Sequence, residues 1–324
     1  MRVLIIGGGG MVGQKLAHKI AREGLNGTDR PEVLLADMFF PESGAPCDRQ
    51  ITVNLADRVA GSMLAALKAD VIFLLASIVS GESETNFDLG WQVNLHGSWN
   101  ILEALRGQHI ASEGSYRPKL IFTSSIAVFG PPFPDKIGDE FLCAPQTSYG
   151  AHKVCVEMMV ADLARKGFID GFSIRLPTIC VRPGKANLAA SSFFSGIIRE
   201  PLNGQEAILP VSDQTRHWHA SPRSAAGFLI HAAGLNTELL NGRRSLNLPG
   251  VSCTVEEQIE ALRDTAGNNV VALIKPQPDE AIMKIVGGWP QDFDPVRATN
   301  LGFQAEADFK EIIETYVRDD MPGV

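Results

Sequence analysis

The sequence predicts an α/β fold: a doubly wound parallel sheet with a smaller, interleaved C-terminal α/β lobe. Short β-rich runs alternate with amphipathic stretches through the first half of the chain. These runs are almost continuously apolar, as expected for parallel strands that helices cover on both faces. After about residue 178 the alternation weakens, and segments rich in Gly, Pro, Ser and Asn become frequent. A regular sheet followed by an irregular lobe accounts for these observations.

Seven strands are expected. Six of them precede residue 178 and cover 2–6, 32–37, 50–54, 70–76, 119–125 and 172–177. The seventh covers 245–250 and is expected to return to the sheet. With right-handed crossovers between parallel neighbours, this order predicts helices on both faces.

Helices are expected between the strands, because apolar residues recur there three to four positions apart. Two long helices with wide apolar faces are predicted at 88–106 and 148–166. A later helix is predicted at 254–267, where Thr254 can cap the first turn and acidic residues follow it.

The composition describes a globular chain and excludes several classes of function. Hydrophobic residues make up 45% and charged residues 20% of the 324 positions, and the formal net charge of −8 argues against a nucleic-acid or membrane partner. The longest apolar run, 71–79, is too short to cross a membrane. The chain enters its first expected strand directly, without room for a signal peptide, so a cytoplasmic location is expected.

Disulfide and metal chemistry are not expected. The five cysteines have no paired spacing and are expected to be small buried hydrophobes; they are Cys47, Cys143, Cys155, Cys180 and Cys253. His217 and His219 flank Trp218, but no acidic or Cys residue nearby completes a metal shell. Trp218 is expected instead to close a pocket or to pack the C-terminal lobe.

A glycine-rich turn after the first strand predicts a dinucleotide site. Gly7, Gly10 and Gly13 have the spacing G-x-x-G-x-x-G between a strand and a helix. Gly7 permits a tight turn, Gly10 permits close approach of a pyrophosphate, and Gly13 lets the helix pack against the strand. The anion would lie at the helix N-terminus, beside Met11 and Val12.

Asp37 ends the second expected strand and predicts NAD as the cofactor. A carboxylate at this position can accept hydrogen bonds from both hydroxyls of the adenosine ribose and would repel a 2′-phosphate. The next residues, MFFP, offer no Arg or Lys to offset that repulsion. Asn54 and Leu55 follow the third strand and are expected to wall the adenine. We therefore expect NAD in preference to NADP.

With a dinucleotide site at its first turn, the predicted sheet is a Rossmann-type NAD-binding domain. We expect this domain to cover 1–177, with the strand at 245–250 returning to it. The remaining segments, 178–244 and 251–324, are expected to form the substrate-binding lobe. Because the returning strand divides this lobe in sequence, the boundary is approximate.

Eight stretches carry further signatures, in this order: GGGGMVG (7–13), LLAS (74–77), VNLHGSWNILEA (93–104), IFTSSIAVFG (121–130), SYGAHKVCVE (148–157), IRLPTICVRPG (174–184), RHWHASPRSAA (216–226) and RATNLGF (297–303). The ordered set resembles the extended short-chain dehydrogenase/reductase family, which includes NAD-dependent epimerases and dehydratases. The resemblance covers nearly the whole chain. The stretch 74–84 is also similar to the short-chain L-threonine dehydrogenases.

The resemblance implies the catalytic residues. Tyr149 would be the acid/base, Lys153 its activator and Ser125 its hydroxyl partner. Strand alternation cannot point Ser124 and Ser125 at one place, and Ser125 matches the family serine that faces the substrate. Asn94 would be the helix residue that holds a backbone kink and a water relay.

The resemblance also implies cofactor contacts beyond the glycine turn. These come from the ends of the strands, from the helix asparagine and from the catalytic helix, and are Leu75, Ala76, Ser77, Asn94, Thr123, Tyr149, Lys153, Pro177, Thr178 and Ile179.

Elementary electrostatics supports the pairing of Tyr149 with Lys153. A tyrosine has an ordinary pKa of about 10, so a base that works near neutral pH needs its phenolate stabilised. Residues four apart share a helix face, and a nearby ammonium favours the phenolate. Thr147 or Ser148 is expected to cap this helix, whose N-terminal dipole acts in the same direction.

The resemblance implies NAD-dependent oxidation of a CH–OH group, and a small 2-hydroxy acid is the expected substrate. Its hydroxyl would meet Ser125 and Tyr149. Its carboxylate needs a partner, for which a bidentate Arg is suited. The candidates are Arg182, Arg216 and the loop residues Ser77 and Ser80, and the sequence does not decide between the two arginines.

Other functions stay open at this point. Within enzymes, the alternatives are a threonine-type dehydrogenase and a nucleotide-sugar epimerase. Outside enzymes, the alternative is an NAD(P)-sensing regulator, although such proteins typically lack the Tyr/Lys pair that this chain has. The resemblance further implies a homodimer formed through the helices at 88–106 and 148–166.

Overall fold

The computed structural model describes residues 1–184 and 190–321, which divide into two compact units. Unit 1 comprises Met1–Val128, Thr147–Arg175 and Ala226–Leu246. Unit 2 comprises Phe129–Gln146, Leu176–Ala225 and Asn247–Val324. This division reflects packing, and the functional division expected from the sequence stays a prediction.

The strands are short and follow one another along the whole chain. In chain order they are β1 (Arg2–Ile6), β2 (Glu32–Asp37), β3 (Arg49–Thr52), β4 (Val71–Leu74), β5 (Lys119–Ser125), β6 (Ile137–Gly138), β7 (Asp170–Leu176), β8 (Thr178–Ile179), β9 (Ala207–Leu209), β10 (Arg216–Ala220), β11 (Ser245–Asn247), β12 (Val251–Thr254), β13 (Ile274–Pro276) and β14 (Phe293–Asp294).

The helices alternate with the strands in unit 1 and dominate unit 2. In chain order they are α1 (Met11–Glu23), α2 (Ala60–Ala65), α3 (Ser80–Thr85), α4 (Phe87–Gly90), α5 (Ser98–Ala111), α6 (Ser148–Arg165), α7 (Ser192–Leu202), α8 (Pro222–Gly234), α9 (Val255–Ala266), α10 (Asn268–Val271), α11 (Glu280–Gly287), α12 (Val296–Asn300) and α13 (Phe309–Asp320). A π-helical segment, Trp91–Gly97, joins α4 to α5.

A seven-stranded sheet forms the centre of unit 1, in the order β11-β7-β5-β4-β1-β2-β3. The pairs β1–β2, β1–β4, β2–β3 and β4–β5 are all parallel. In the central strands β1 and β4, residues 3–6 and 71–74 are each at most 4% exposed. Burial on both faces explains the continuous apolar runs in the sequence. The predicted doubly wound parallel sheet is confirmed.

Strands predicted at 2–6, 32–37 and 119–125 have those bounds, whereas the other four end earlier than predicted, at Thr52, Leu74, Leu176 and Asn247. The fourth strand ends at Leu74, because the N–H groups of Leu75 and Ala76 both donate to the carbonyl of Ile6, at 2.8 and 2.9 Å. The third ends at Thr52. Two residues later the side chain of Asn54 accepts from the N–H of Ala56 at 2.9 Å, which closes a turn.

The helix predicted at 88–106 is a composite of α4, the π-helical segment and α5, which together run from 87 to 111. The other long helix, predicted at 148–166, is α6 and ends one residue earlier. The predicted helix at 254–267 is α9, whose N-cap Thr254 accepts from Glu257 and forms a full capping box.

Unit 2 contains three small sheets. Their orders are β12-β10-β8, β13-β9 and β14-β6. Helices α7, α9 and α13 contribute to one apolar core together with residues of β9, β12 and β13. Trp218 of β10 is 5% exposed, donates to the carbonyl of Leu248 at 3.2 Å and contacts the ring of Phe293. It therefore packs unit 2, one of the two roles expected for it.

The expectation of five buried cysteines is wrong for three of them. Cys180 and Cys253 are buried, Cys47 and Cys143 are half-buried, and Cys155 is exposed. Cys155 lies on α6, where Lys153, Val156 and Glu157 form the buried face. With 3.6 residues per turn, position 155 falls on the opposite face. No helix within residues 1–184 and 190–321 is both long and apolar enough to cross a membrane.

Two helical glycines predict opposite effects of substitution by Ala. A Cβ at Gly13 in α1 would lie 2.3 Å from the carbonyl oxygen of Gly7, whereas at Gly227 in α8 it would meet no atom within 4 Å. Gly13→Ala should lower the free energy of unfolding by about 2 kcal/mol. Gly227→Ala should raise it by roughly 0.5–1 kcal/mol, since Ala is the better helix former. Urea unfolding of both variants checks this, and shifts of the same sign would contradict it.

Candidate active site

A cavity of about 420 Å³ lies in unit 1 at the carboxyl ends of β1, β2 and β4. In open α/β sheets, ligands bind at this edge. Seven of the residues predicted from the sequence to bind the cofactor line it: Gly7, Gly10, Asp37, Leu55, Leu75, Ala76 and Ser77. The structure therefore brings together the turn after β1, the end of β2 and the loop after β4.

The glycine turn leaves room for an anion next to the backbone. Gly7 has φ +95°, and a Cβ there would lie 2.6 Å from the backbone nitrogen of Ala76. A Cβ at Gly9 would lie 1.9 Å from the carbonyl oxygen of Phe39. Gly10 is the N-cap of α1 and, lacking a side chain, leaves the first N–H groups of the helix to other acceptors. This geometry fits a dinucleotide pyrophosphate.

Met11 and Val12 open α1 directly after Gly10 and are half-buried. Their backbone N–H groups belong to the helix N-terminus that this turn presents. Their contact with the cofactor stays a prediction.

The carboxylate of Asp37 is held in place by two backbone N–H groups. Gly9 donates to one oxygen at 2.9 Å, and Met38 donates to the other at 2.7 Å. A carboxylate oxygen accepts more than one hydrogen bond, so both oxygens can also accept from ribose hydroxyls. Leu55 lines the cavity, whereas the side-chain oxygen of Asn54 is used in its own turn.

Asn94 anchors the cavity wall after β4. It lies in the π-helical segment and is 4% exposed. Its side-chain oxygen accepts from the N–H of Ile78 at 2.7 Å and from the hydroxyl of Ser77 at 3.1 Å. Its side-chain nitrogen donates to the carbonyl of Ile78 at 3.1 Å. The predicted backbone irregularity is present here, while the water relay stays a prediction.

The same amide links this loop to α6. The Asn94 nitrogen lies 3.3 Å from the hydroxyl of Ser83 and 3.5 Å from Nδ1 of His152, which is 1% exposed. Burial, and then the charge of Lys153, lower the pKa of His152. His152 is therefore a neutral neighbour at pH 7. The predicted substrate residue Ser80 opens α3 on this loop and is half-buried.

The end of β5 supplies two serines with different surroundings. Ser124 is 2% exposed, whereas Ser125 is half-buried and its hydroxyl oxygen accepts from the N–H of Ala127 at 3.1 Å. With that lone pair used, the hydroxyl of Ser125 can donate its proton to a ligand. The choice of Ser125 over Ser124 stays a prediction.

Helix α6 carries the predicted Tyr/Lys pair on one face. Its N-cap is Thr147, which accepts from the N–H of Gly150 at 3.1 Å. Glu84 adds an acidic group at this end by accepting from the N–H of Ser148 at 2.6 Å. Nζ of Lys153 lies 5.3 Å from the ring centroid of Tyr149. The sequence left Thr147 and Ser148 open as the cap, and the structure selects Thr147.

The amino group of Lys153 is buried, a feature that the sequence did not predict. It is 3% exposed, donates to the carbonyl of Thr123 at 2.8 Å and lies 4.8 Å from the ring centroid of Phe122. Burial lowers the pKa of Lys153 to about 7, and Glu157 acts in the opposite direction. Near neutral pH, its charged and neutral forms therefore have similar free energies.

The predicted residues that follow β7 belong to unit 2, with Pro177 joining β7 to β8. In β8, the Thr178 hydroxyl lies 2.7 Å from Nε2 of His217, whose Nδ1 lies 2.9 Å from the carbonyl of Pro290. Because that carbonyl can only accept, Nδ1 carries the proton and Nε2 accepts from Thr178. Burial lowers the pKa of His217 to about 4, so the ring is neutral.

The two candidate arginines also lie in unit 2 and have partners there. Arg182 donates to the carbonyl of Ile179 at 2.9 Å and to the hydroxyl of Ser191 at 3.0 Å. Arg216 lies 3.2 Å from the carboxylate of Glu257. Their roles, and the cofactor contacts of Pro177, Thr178 and Ile179, stay predictions.

Sequence reasoning missed several residues of the site. Gly9, Phe39, Ile78 and Val93 also line the cavity. The run of four glycines at 7–10 was a signal for Gly9, because the roles given to Gly7 and Gly10 do not explain the other two. Phe39 is 78% exposed, and the sequence gives no sign of this exposure, because an apolar residue after a strand is ordinarily expected to be buried.

Known proteins similar to this chain are consistent with a dinucleotide site. The chain matches the model of the NAD dependent epimerase/dehydratase family over residues 3–228. It is 41% identical to the D-erythronate dehydrogenase of Cupriavidus necator over 98% of each chain. It is 38% identical to the D-erythronate dehydrogenase of Haemophilus influenzae over 99% of this chain and 100% of that protein.

Two solved structures share the fold. The nucleoside-diphosphate-sugar epimerase from Agrobacterium tumefaciens has a TM-score of 0.95 and 49% identity, covering 100% of this chain and 95% of that one. The GalE-like L-threonine dehydrogenase from Cupriavidus necator has a TM-score of 0.82 and 22% identity, covering 98% and 100%. The second likeness is one of fold alone.

The buried ammonium predicts that Lys153→Met stabilises the protein in a pH-dependent way. The folded-state pKa of about 7 lies below the ordinary value of 10.5, so burying the charge destabilises the wild type at pH 7 and below. This cost is relieved as the pH rises from 7 to 10.5. Lys153→Met should therefore be more stable than the wild type by roughly 2–4 kcal/mol at pH 6, and the difference should shrink toward pH 10. Urea unfolding at both pH values measures it, and a pH-independent difference would contradict it.

Proposed function

The chain belongs to the NAD-dependent epimerase/dehydratase family and is an NAD-dependent dehydrogenase, and we propose that it oxidises a small 2-hydroxy acid, D-erythronate, to 2-dehydro-D-erythronate. Two relatives named for this activity align with the chain over nearly their full length. The observation that carries the proposal is the placement of Tyr149 one helical turn before the buried ammonium of Lys153, with Ser125 at the end of β5.

The residues of unit 1 fit NAD as the cofactor. The glycine turn and the N-terminus of α1 would hold its pyrophosphate, and Asp37 would accept from the adenosine ribose. Bound NAD supplies the acceptor for a hydride from the substrate carbinol carbon.

The side chains supply the proton chemistry. The substrate hydroxyl would donate a hydrogen bond to Tyr149. The hydroxyl of Ser125 would donate to the substrate oxygen while that oxygen becomes a carbonyl. Tyr149 in its phenolate form takes the hydroxyl proton while the C–H bond breaks. The ammonium of Lys153 stabilises that phenolate. Asn94 acts through the loop that it anchors, so it is a positioning residue.

The substrate carboxylate needs a separate partner. Arg182 or Arg216 would supply it, together with the hydroxyls of Ser77 and Ser80. A carboxylate ligand would have to compete with Glu257 for Arg216, and with a carbonyl and a hydroxyl for Arg182.

A nucleotide-sugar epimerase is the second candidate. Its support is the similarity to the Agrobacterium tumefaciens structure that carries this name, at 49% identity. An epimerase returns the hydride to its substrate and releases no net NADH. A threonine dehydrogenase has support only from the fold, and an NAD(P)-sensing regulator would not need Tyr149, Lys153 and Ser125 together.

A substrate screen decides between these functions. The purified protein is incubated with NAD or NADP and, separately, D-erythronate, its four-carbon stereoisomers, L-threonine and a UDP-sugar. We expect net NADH only with D-erythronate or a close 2-hydroxy acid, and weak use of NADP. Epimerised UDP-sugar without net NADH would support the second candidate and overturn the first.

Tyr149→Phe should lower kcat by about 10³-fold or more, because the proposed mechanism assigns the hydroxyl proton to the oxygen of Tyr149 and Phe has no group that can take it. Its NAD affinity, measured by calorimetry, should stay close to that of the wild type. Tyr116→Phe is the matched control, since the hydroxyl of Tyr116 donates to the carbonyl of Ala69, away from the cavity. Near-normal turnover by Tyr149→Phe would remove Tyr149 from its proposed role.

We also propose that the protein is a homodimer formed through α5 and α6. Trp99 and Ile110 on α5 are 40% and 54% exposed, and Met158 on α6 is 55% exposed. Large apolar side chains exposed together on neighbouring helices favour a subunit interface. Light scattering should give twice the chain mass of 35.0 kDa, and Met158→Glu should shift it toward one chain. A wild-type mass of one chain would contradict the dimer.

We propose a cytoplasmic location, as expected from the sequence. No disulfide joins any of the five cysteines, all of which lie in the described part of the chain, and this is typical of proteins in a reducing compartment.

A further inference from the structure

Unit 1 contains a buried ion pair that the proposed reaction does not use. Glu157 on α6 is 0% exposed, and Arg175 on β7 is 7% exposed. The guanidinium donates twice to the carboxylate, from Nε at 2.9 Å and from Nη2 at 2.7 Å. Burying such a pair costs desolvation free energy that an apolar pair of similar volume would not. Stability alone therefore does not explain its presence.

The pair lies in line with the catalytic residues. Tyr149, Lys153 and Glu157 follow one another at intervals of four along α6, so their side chains share one face of the helix. Lys153 and Glu157 are both on the buried face, whereas the nearest acceptor that holds the ammonium is a neutral carbonyl, that of Thr123. Glu157 is therefore an acidic group that shares the buried face of α6 with the ammonium, one helical turn away from it.

We propose that Glu157, held in place by Arg175, is a positioning residue of the reaction: its carboxylate keeps Lys153 in the ammonium form, on which the acidity of Tyr149 depends. The inference rests on the proposed function of the Tyr/Lys pair and adds a residue to it.

The surrounding charges leave this role to Glu157. Burial lowers the pKa of Lys153 and Glu157 raises it. On α6, His152 is neutral at pH 7, because burial lowers its pKa. From the neighbouring elements, Glu84 acts at the N-terminus of α6, His96 lies in the π-helical segment, and Arg175 on β7 is paired with Glu157 itself.

The test removes the pair without leaving a lone buried charge. Glu157→Gln alone would leave the guanidinium of Arg175 buried and unpaired, and could unfold the protein. The informative variant is therefore the double substitution Glu157→Gln/Arg175→Gln. Arg175→Lys keeps a cation beside Glu157. Glu103→Gln/Arg106→Gln removes a surface pair from α5, and so controls for the loss of one ion pair from unit 1.

The first measurement is a spectrophotometric titration of the tyrosines without cofactor or substrate. The chain has only three tyrosines, and burial raises the pKa of both Tyr116 and Tyr316. The first phenolate to form as the pH rises should therefore belong to Tyr149, and Tyr149→Phe should abolish that transition.

In Glu157→Gln/Arg175→Gln, the Tyr149 transition should move to higher pH by about one unit, with both control variants close to the wild type. An unchanged midpoint in the double variant would overturn the inference. So would a wild-type transition that survives Tyr149→Phe, since Tyr149 would then not be the acidic phenol.

The second measurement is the pH profile of kcat with the substrate found in the screen. The limb of the profile on which kcat rises with pH should shift to higher pH in the double variant. On that limb, kcat of the double variant should be about tenfold lower than that of the wild type. A purely structural role would lower the urea midpoint and leave the pH profile of kcat unchanged.

If the wild type oxidises no hydroxy acid but the phenolate transition shifts as expected, the proposed function fails and the charge coupling stands. If turnover is found and the transition does not shift, the coupling fails alone.

Discussion

The ammonium of Lys153 is enclosed by unit 1, and the arrangement of the site follows from the need to stabilise a charge away from water. Burial brings its pKa down to about 7, so the charge is only marginally retained at neutral pH. What retains it are groups with fixed positions: the carbonyl of Thr123, the ring of Phe122 and the carboxylate of Glu157. These come from the end of β5 and from α6. The packing of that helix on that strand therefore sets the charge state of Lys153, because small changes in distance alter electrostatic energies strongly in a medium of low dielectric.

The cavity next to this site is built mostly by backbone. The carbonyl of Ala36 accepts from Gly7 and Gly8, and the carbonyl of Ile6 accepts from the two residues after β4. These bonds tie together the ends of β1, β2 and β4. The glycines are required because side chains at 7 and 9 would occupy the positions of neighbouring backbone atoms. Asp37 is the one carboxylate among the described residues that line the cavity, and its bonds to Gly9 and Met38 hold it in place.

The wall after β4 depends on a local departure from α-helical geometry. The π-helical segment 91–97 lies between two α-helical stretches and places the Asn94 amide against the loop at 77–83. Such π-helical insertions are frequent at functional sites. Here one amide satisfies the backbone of Ile78 on both its N–H and its carbonyl, so the loop and the helix hold each other in register. The contact with His152 extends this connection to the helix that carries Tyr149 and Lys153.

The sequence by itself determined the parallel strands of the doubly wound sheet, the glycine turn, the position of Asp37 at a strand end and the one-turn spacing of Tyr149 and Lys153. Each of these follows from local pattern: strand burial, backbone freedom of glycine and helical period act over a few residues. Only the tertiary structure decided the charge balance at Lys153, the pairing of Glu157 with Arg175, the target of Asn94 and the exposure of Cys155. These features depend on which distant segments of the chain meet. Burial shifts a pKa or hides a thiol from solvent, and it is a property of the packed chain that no single position encodes.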